Sequence, residues 1–581
     1  LTMKELAVRV GGQAGDGIAS IGESIARSFS RMGLHVFGLN AYQSVIRGGH
    51  VWYHARASEA KLHCQGDTAD ILYALDRQTV DVHASILRPG GTVIFDPEKF
   101  PLAPTDISSE IHLLPVPTLE IARKYTSQSI LQNAAGIGAT AFLAGIPLDV
   151  IHQVLTDSFG RKAGDVVTWN IGASTDGYRF AETKGPIHPK AIAKKTPPKL
   201  LMTGNQAIAL GAAAAGCKFL VQYPMTPATS IMHWLAAHSR ALGIVVKQSE
   251  DELASINMAI GASFAGVRTM TASSGGGFAL MTEGLGMAGM AEVPVVVVDA
   301  ARAGPSTGLP TKTEQGDLNL LLGAGQGEWP RAVLAPSDPV EAYRLTVAAF
   351  DLAERFQTPV LVLTDFHLAE AMVGVDREEI DLNIPIPSLF TVEPHAHRYR
   401  RYLDTESGVS PRAFPGQPGL NHIALSDEHD EYGGDVSDIR AGIPAAIAVR
   451  KKMMEKRMRK LKGLAKEAPP PVLEGPADAP LTFVAWGSPV GAVRDAMTIL
   501  HEKGKATNLL RFPTLYPLDP DVVRSMFART RKTLLIEGNF SGQFAHLLRA
   551  ETGIELPHKF LKYDGEPFYP HQIVARAQEV L

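Results

Sequence analysis

Three stretches decide how this chain folds: GNQAIALGAAAAGCKFLVQYPMTPATS at 204–230, SEDELASINMAIGASFAGVRTMTASSGGG at 249–277, and DAARAGPSTGLPTKTEQGDL at 299–318. In the first, an Ala-rich stretch predicts a helix over 205–215, followed by a strand over 219–223. In the second, Leu253, Ile256, Ala259 and Ile260 fall at helical spacing, and an apolar run over 269–272 predicts the next strand. The third opens at the end of the apolar run 295–300. Strands that alternate with helices in this way build a parallel sheet with helices packed on it. Ligands of such sheets sit at the carboxyl ends of the strands.

The residues at those ends are chemically pointed. Pro224 and Pro227 restrict the backbone on either side of Thr226. Residues 227–230 would open the next helix, so Thr226 is expected beside free backbone N–H groups. The competing reading is an ordinary capping loop with Thr226 or Thr229 as N-cap. Glu250, Asp251 and Glu252 open the second helix, where acids complement the helix dipole. Glu252 stands one position before Leu253 and four before Ile256, on the edge of the buried stripe. That depth suits a carboxyl that hydrogen-bonds a cofactor nitrogen rather than water. The glycines of SSGGG and ARAGPSTGLP permit close approach of backbone to a ligand. Arg302 follows a strand, where its planar fork could grip a carboxylate. A surface arginine, or one paired with Asp299, Glu314 or Asp317, is the alternative.

Around this centre the 581-residue chain is too long for a single core, and roughly three or four domains are expected. The first 186 residues alternate strands (6–10, 35–39, 71–75, 91–95) with helices (18–32 the clearest), again predicting a parallel sheet. KGPIHPKAIAKKTPPK reads as a linker over 187–199. The second α/β domain spans 200–375. A connector of poor periodicity covers 376–475 and contains a basic helix, 449–466, expected to face solvent. Its end, EAPPPVLEGPADAP, reads as a second linker, and a last α/β domain occupies 476–581. The acid-rich run 426–438 around His429 is expected to be a solvated loop, with a metal site as the rival reading.

Bulk properties narrow the function. The chain is 45% hydrophobic and 20% charged, with a net charge of −4, which argues against a nucleic-acid binder. No apolar run approaches a membrane span, and the first residues lack the pattern of a signal peptide, so the cytoplasm is expected. Only two cysteines, Cys64 and Cys217, are present, too few for a four-thiolate iron–sulfur cluster. Any redox partner must therefore be a cofactor or another chain.

Together the three stretches resemble the pyrimidine-binding domain of the thiamine-diphosphate-dependent 2-oxoacid:ferredoxin oxidoreductases. Tyr223, Pro224, Thr226 and Pro227 match the family's Tyr-Pro-x-Thr-Pro motif, and Glu252 precedes Gly261-Ala262 at the family's spacing. Residues 4 to about 185, with GGQAGDG and QSVIRGGHVWYHAR, resemble the γ subunit. The last domain, with RFPTLYPLDP and EGNFSGQFAHLLR, resembles a transketolase C-terminal domain. This order, γ fused ahead of α, is similar to the α chain of two-subunit 2-oxoglutarate:ferredoxin oxidoreductases.

The resemblance implies oxidative decarboxylation of a 2-oxoacid, 2-oxoglutarate by domain order, to acyl-CoA and CO₂, with reduction of ferredoxin. It implies that Glu252 contacts the aminopyrimidine, that Tyr223, Pro224 and Met225 line the cofactor, and that Thr226 and Arg302 hold the substrate carboxylate. Mg²⁺, the diphosphate and a [4Fe–4S] cluster are then expected on a separate β subunit, in a dimer of αβ heterodimers, with CoA as co-substrate. Gly15-Asp16-Gly17 followed by Asn40 imitates a thiamine-enzyme metal motif, but Ala41 stands where a second asparagine belongs. We read Gly12, Gly15 and Gly17 instead as a turn available to a phosphate, in this setting CoA. Two rivals stay open: another thiamine enzyme of dehydrogenase or transketolase type, and a non-catalytic nucleotide-binding assembly subunit.

Overall fold

The computed structural model describes residues 5–43, 49–160, 164–186, 197–387, 399–436 and 444–581. They form two compact units. Most of the linker expected over 187–199 lies outside the described residues.

The first unit runs to Thr203 and takes in Glu370–Glu379 and Tyr569–His571. Its eight-stranded sheet has the order His112–Pro115, Leu87–Phe95, Ala69–Ala74, Glu5–Gln13, His50–Ser58, His35–Ala41, Met372–Val375, Leu200–Thr203. The first four strands are parallel, as the strand–helix alternation predicts. The other four are added antiparallel, so the sheet is mixed rather than wholly parallel. Strand His50–Ser58 escapes a search for apolar runs because its faces differ. Val51, Tyr53, Ala55 and Ala57 enter the core, while Trp52, His54 and Arg56 line the other side. Residues 200–203 and 370–375, expected with the second domain, pair into this first sheet instead.

The second unit holds two sheets. The seven-stranded one has the order Thr514–Tyr516, Ala332–Leu334, Pro359–Asp365, Val295–Ala301, Thr269–Ser273, Phe219–Gln222, Val245–Gln248. All its strands but Thr514–Tyr516 are parallel. Val295–Ala301 and Pro359–Asp365 are buried along their whole length, which is why they read as unbroken apolar runs. The five-stranded sheet has the order Val472–Glu474, Thr507–Arg511, Leu481–Ala485, Lys532–Glu537, His558–Leu561. Its edge strand Val472–Glu474 arises within the stretch read as a second linker; Glu474 is held there by Arg494 and Arg511.

One expectation for the connector is overturned, and another needs correcting at His429. The basic helix, Pro444–Glu467, does not face solvent along its length: Lys456, Arg457 and Lys460 are buried. Glu292, in the turn after helix Gly275–Met290, receives Lys456 Nζ at 2.5 Å and Lys460 Nζ at 2.6 Å. Arg401 donates to its backbone carbonyl at 2.7 Å. Burial alone would raise the Glu292 carboxyl, but Lys460, Lys456 and Arg401 outweigh it and hold the group well below the usual carboxylate range. Over its described residues, 426–436, the run around His429 is a loop largely open to solvent, as expected, but His429 itself is not. His429 is 0% exposed, its ring lies 3.9 Å from that of Tyr402, and Glu428 is paired with Arg450 and Arg457. The acids were visible in sequence; that the helix following them folds back to pair with Glu428 was not.

Because Glu292 is the carboxylate that two buried lysines share, Glu292→Gln should be among the most destabilising single changes in the second unit. Removing one partner of a buried ion pair costs ~3–5 kcal/mol. A lowered denaturation midpoint, partly recovered when Lys456 and Lys460 also become Met, is the expected outcome; an unchanged midpoint would contradict the clamp.

Candidate active site

Strand Phe219–Gln222 has Val245–Gln248 on one side and Thr269–Ser273 on the other. Chain direction across the sheet reverses there, which opens a crevice at the carboxyl edge. The loop after this strand is pinned from below. Gln222 Nε2 donates to the Ala228 carbonyl at 2.9 Å, and Asn205 Nδ2 donates to the Pro227 carbonyl and to Ser230 Oγ, both at 2.8 Å. Both amides are fully buried. The segment Tyr223–Pro227 is therefore fixed in space, with Tyr223, Pro224, Met225 and Thr226 reaching the surface of the crevice.

The next crossing begins at helix Glu252–Phe264. Asp251 is its N-cap, accepting from Ala254 N at 2.7 Å, so Glu252 is the only one of the three acids within the helix, and Glu250 is exposed before it. Glu252 is 2% exposed. Its Oε1 accepts from Ser273 Oγ at 2.9 Å, the side chain's one hydrogen bond among the described residues. Ser273 Oγ also stands 3.7 Å from Met225 Sδ. Gly277, in the first turn of helix Gly275–Met290, closes this pocket: a Cβ there would lie 2.1 Å from both Glu252 Oε1 and Ser273 Oγ. No larger residue fits.

One strand further on, Arg302 follows Val295–Ala301. Its Nη1 donates to the Thr226 carbonyl at 2.9 Å, which joins the two residues expected to hold a carboxylate. The sequence alternatives for Arg302 were Asp299, Glu314 and Asp317; among the described residues it forms an ion pair with none of them. Partial burial lowers its guanidinium from the usual value, opposed by the charge of Asp317. Burial, with Asp317 nearby, pushes Glu314 up to about 7. Thus Tyr223, Pro224, Met225, Thr226, Glu252 and Arg302 share one carboxyl edge. Ser273, Asn205, Gln222 and the Asp299–Asp317 pair escaped the sequence reading, since small polar residues in apolar runs carry no signal of their partners.

The apolar surface around this edge is unusual. Leu253 and Met258 on the first helix and Leu280 on the second are 48%, 42% and 47% exposed. Gly261 and Gly276 on the same helices are also exposed, with open space where a Cβ would be. A buried carboxyl beside exposed aliphatic side chains can meet a planar, partly polar ring and a second protein surface. Thiamine's aminopyrimidine fits these residues, because Glu252 is held by a neutral hydroxyl on one oxygen and the pocket floor has no side chain.

In the first unit, Gly12, Gly15 and Gly17 lie at the turn between Glu5–Gln13 and Ile18–Arg31. Gly15 and Gly17 have φ of 104° and 81°. Asp16 is turned back onto Gln13 N, and helix Ile18–Arg31 begins at Gly17 without a side-chain cap.

Residues 210–445 match the family described as pyruvate flavodoxin/ferredoxin oxidoreductase, thiamine diphosphate-binding, and residues 7–180 match pyruvate ferredoxin/flavodoxin oxidoreductase. The chain is 31% identical to the α subunit of 2-oxoacid:ferredoxin oxidoreductase 2 of Aeropyrum pernix, over 100% of its own length and 98% of that relative. It is 28% identical to the 2-oxoglutarate oxidoreductase subunit KorA of Mycobacterium tuberculosis, over 98% and 91%. A solved structure of 2-oxoglutarate:ferredoxin oxidoreductase from Magnetococcus marinus, with 2-oxoglutarate, coenzyme A and succinyl-CoA bound, superposes with a TM-score of 0.91. That likeness is at 36% identity and covers 99% of both chains. With the Tyr-Pro-Met-Thr-Pro loop, the buried Glu252 and both halves matched, the chain belongs to the α subunits of the 2-oxoacid:ferredoxin oxidoreductases.

Proposed function

We propose that this chain forms the pyrimidine-side half of a thiamine diphosphate site that oxidatively decarboxylates 2-oxoglutarate to succinyl-CoA and passes the electrons to ferredoxin. The carrying observation is Glu252: a carboxyl 2% exposed, bonded only by a neutral hydroxyl, behind a surface of exposed aliphatic residues. The Magnetococcus marinus likeness supports 2-oxoglutarate and CoA as substrates. Full-length similarity to these oxidoreductases favours this reading over a dehydrogenase, a transketolase or a non-catalytic assembly subunit.

Bound thiamine diphosphate supplies the carbon nucleophile and the electron sink for decarboxylation. Glu252 would hold a proton against the aminopyrimidine nitrogen, with Ser273 fixing which oxygen faces the ring. Tyr223, Pro224 and Met225 would line the cofactor. Arg302, steadied by the Thr226 carbonyl, would present its remaining N–H groups to the 2-oxoacid carboxylate, and Thr226 would flank it.

A β subunit would bring Mg²⁺, the diphosphate contacts and a [4Fe–4S] cluster, in a dimer of αβ heterodimers. Three observations support that division. Leu253, Met258 and Leu280 offer an apolar surface for a partner. Cys64 and Cys217 are both buried and belong to different units. Burial pushes the Cys217 thiol up to about 12, away from the thiolate that a cluster requires. Two cysteines outside any disulfide also suit a reducing compartment, and we place the enzyme in the cytoplasm. No helix among the described residues is long and apolar enough to cross a membrane. The turn at Gly12, Gly15 and Gly17, with its uncapped helix start, is our candidate for a CoA phosphate. We propose the expected domain limits, adjusted for the strands at 200–203 and 370–375, as its organisation.

Two substitutions test the assignments in the complex reconstituted with its partner. Glu252→Gln should lower turnover by about 10²–10⁴-fold, while Glu250→Gln, exposed ahead of the helix, should change little. Full activity in Glu252→Gln would remove the cofactor role.

Arg302→Lys keeps the charge and loses the fork, so kcat/KM for the 2-oxoacid should drop by about 10–100-fold, with thiamine diphosphate affinity unchanged. Thr226→Ala should act in the same direction, more weakly. A defect confined to cofactor affinity would take Arg302 out of the substrate site.

A further inference from the structure

Arg302 has no carboxylate within ion-pair distance among the described residues, although an acid lies close enough for its charge to be felt. That acid, Asp317, forgoes two obvious partners. It does not pair with Arg302, and it gives no side-chain cap to helix Leu318–Leu322, which it immediately precedes. Its carboxylate is instead turned against Gly275, where a Cβ would lie 2.5 Å from Oδ2, and lies beside the carboxyl of Asp299. Asp299, on strand Val295–Ala301, is 0% exposed.

Two ionised carboxylates are acceptors only and cannot bond each other. As ions, Asp299 would leave both oxygens, and Asp317 one, buried without a donor. A single proton lets the two carboxyls bond each other: one Asp299 oxygen becomes the donor and Asp317 the acceptor. Asp299 is the protonated member because it is fully buried with no cation facing it, whereas Arg302 favours the ionised form of Asp317.

We propose that Asp299 is a positioning residue: its hydrogen bond holds the Asp317 carboxylate away from Arg302, so that the guanidinium stays free for the carboxylate of the 2-oxoacid. A side-chain anion next to a substrate-binding arginine competes with the substrate. Here the competitor is kept occupied by a second acid. The inference rests on the reading of Arg302 as the substrate fork.

The test uses the complex reconstituted with its partner and the variants Asp299→Ala, Asp299→Asn and Asp299→Ala/Asp317→Asn, with Arg302→Lys in parallel. Asp299→Ala releases Asp317 toward Arg302 and should raise KM for 2-oxoglutarate on the order of tenfold, the weight of one charge-assisted bond. Its kcat and thiamine diphosphate affinity should change little. Asp299→Asn keeps a neutral donor and should retain a KM close to that of the unaltered enzyme. The double variant, in which the competing charge is gone, should return KM toward that value, a rescue that general loosening of the fold cannot produce. The infrared spectrum of the unaltered protein at neutral pH should also show a buried carboxylic-acid C=O band that Asp299→Asn lacks. This last readout needs no folded Asp299→Ala. Absence of the band, or a double variant as impaired as Asp299→Ala, would overturn the inference. Unchanged kinetics in Arg302→Lys would instead overturn the reading beneath it.

Discussion

The site depends on one steric constraint, the absence of a side chain at Gly277. Helix Gly275–Met290 can start against Glu252 and Ser273 only because no side chain projects at Gly277. That approach buries the Glu252 carboxyl without supplying a counter-charge. The helices Glu252–Phe264 and Gly275–Met290 then continue in contact, with Gly284 seated on Ile256. Their outer faces are left with Leu253, Met258 and Leu280 exposed. A buried acid and an uncovered apolar surface thus follow from the same close packing. In a family whose α subunits work within larger enzymes, both features have an evident use.

Glu292, the Asp299–Asp317 pair and Glu252 are buried acids of the second unit held in different ways, and the difference separates structure from chemistry. Glu292 is paired with two lysines, one on each carboxylate oxygen, while Arg401 holds its backbone carbonyl; it fastens the connector and the basic helix in place. Asp299 and Asp317 lie together, and in our proposal share one proton. Glu252 has only the hydroxyl of Ser273. An acid whose charge is already cancelled cannot respond to a ligand, whereas one held by a single neutral donor can.

The sequence made legible what is local. Apolar runs bounded by Gly and Pro located the strands Phe219–Gln222, Thr269–Ser273 and Val295–Ala301, and so placed Thr226, Glu252 and Arg302 on one edge. What it concealed was long-range pairing. The strand at His50–Ser58 has a polar second face, and Val472–Glu474 lies in a proline-rich stretch whose partners come from residues 507–511. The basic helix illustrates the limit best. Its lysines read as solvated because Glu292, more than 160 positions earlier, cannot be recognised as their partner from composition. Ser273 was likewise an unremarkable small residue until the fold set it against Glu252.

Exchange of the C2 proton of bound thiamine diphosphate with solvent, followed by quenched NMR on the reconstituted complex, bears most directly on the role of Glu252. It reports cofactor activation before any substrate is bound. Exchange in the unaltered complex should far exceed that of the free cofactor, and Glu252→Gln should lose most of that acceleration while still binding the cofactor. Equal exchange rates in the two complexes, at full cofactor occupancy, would contradict the assignment of Glu252 and with it the reading of this edge as the active site.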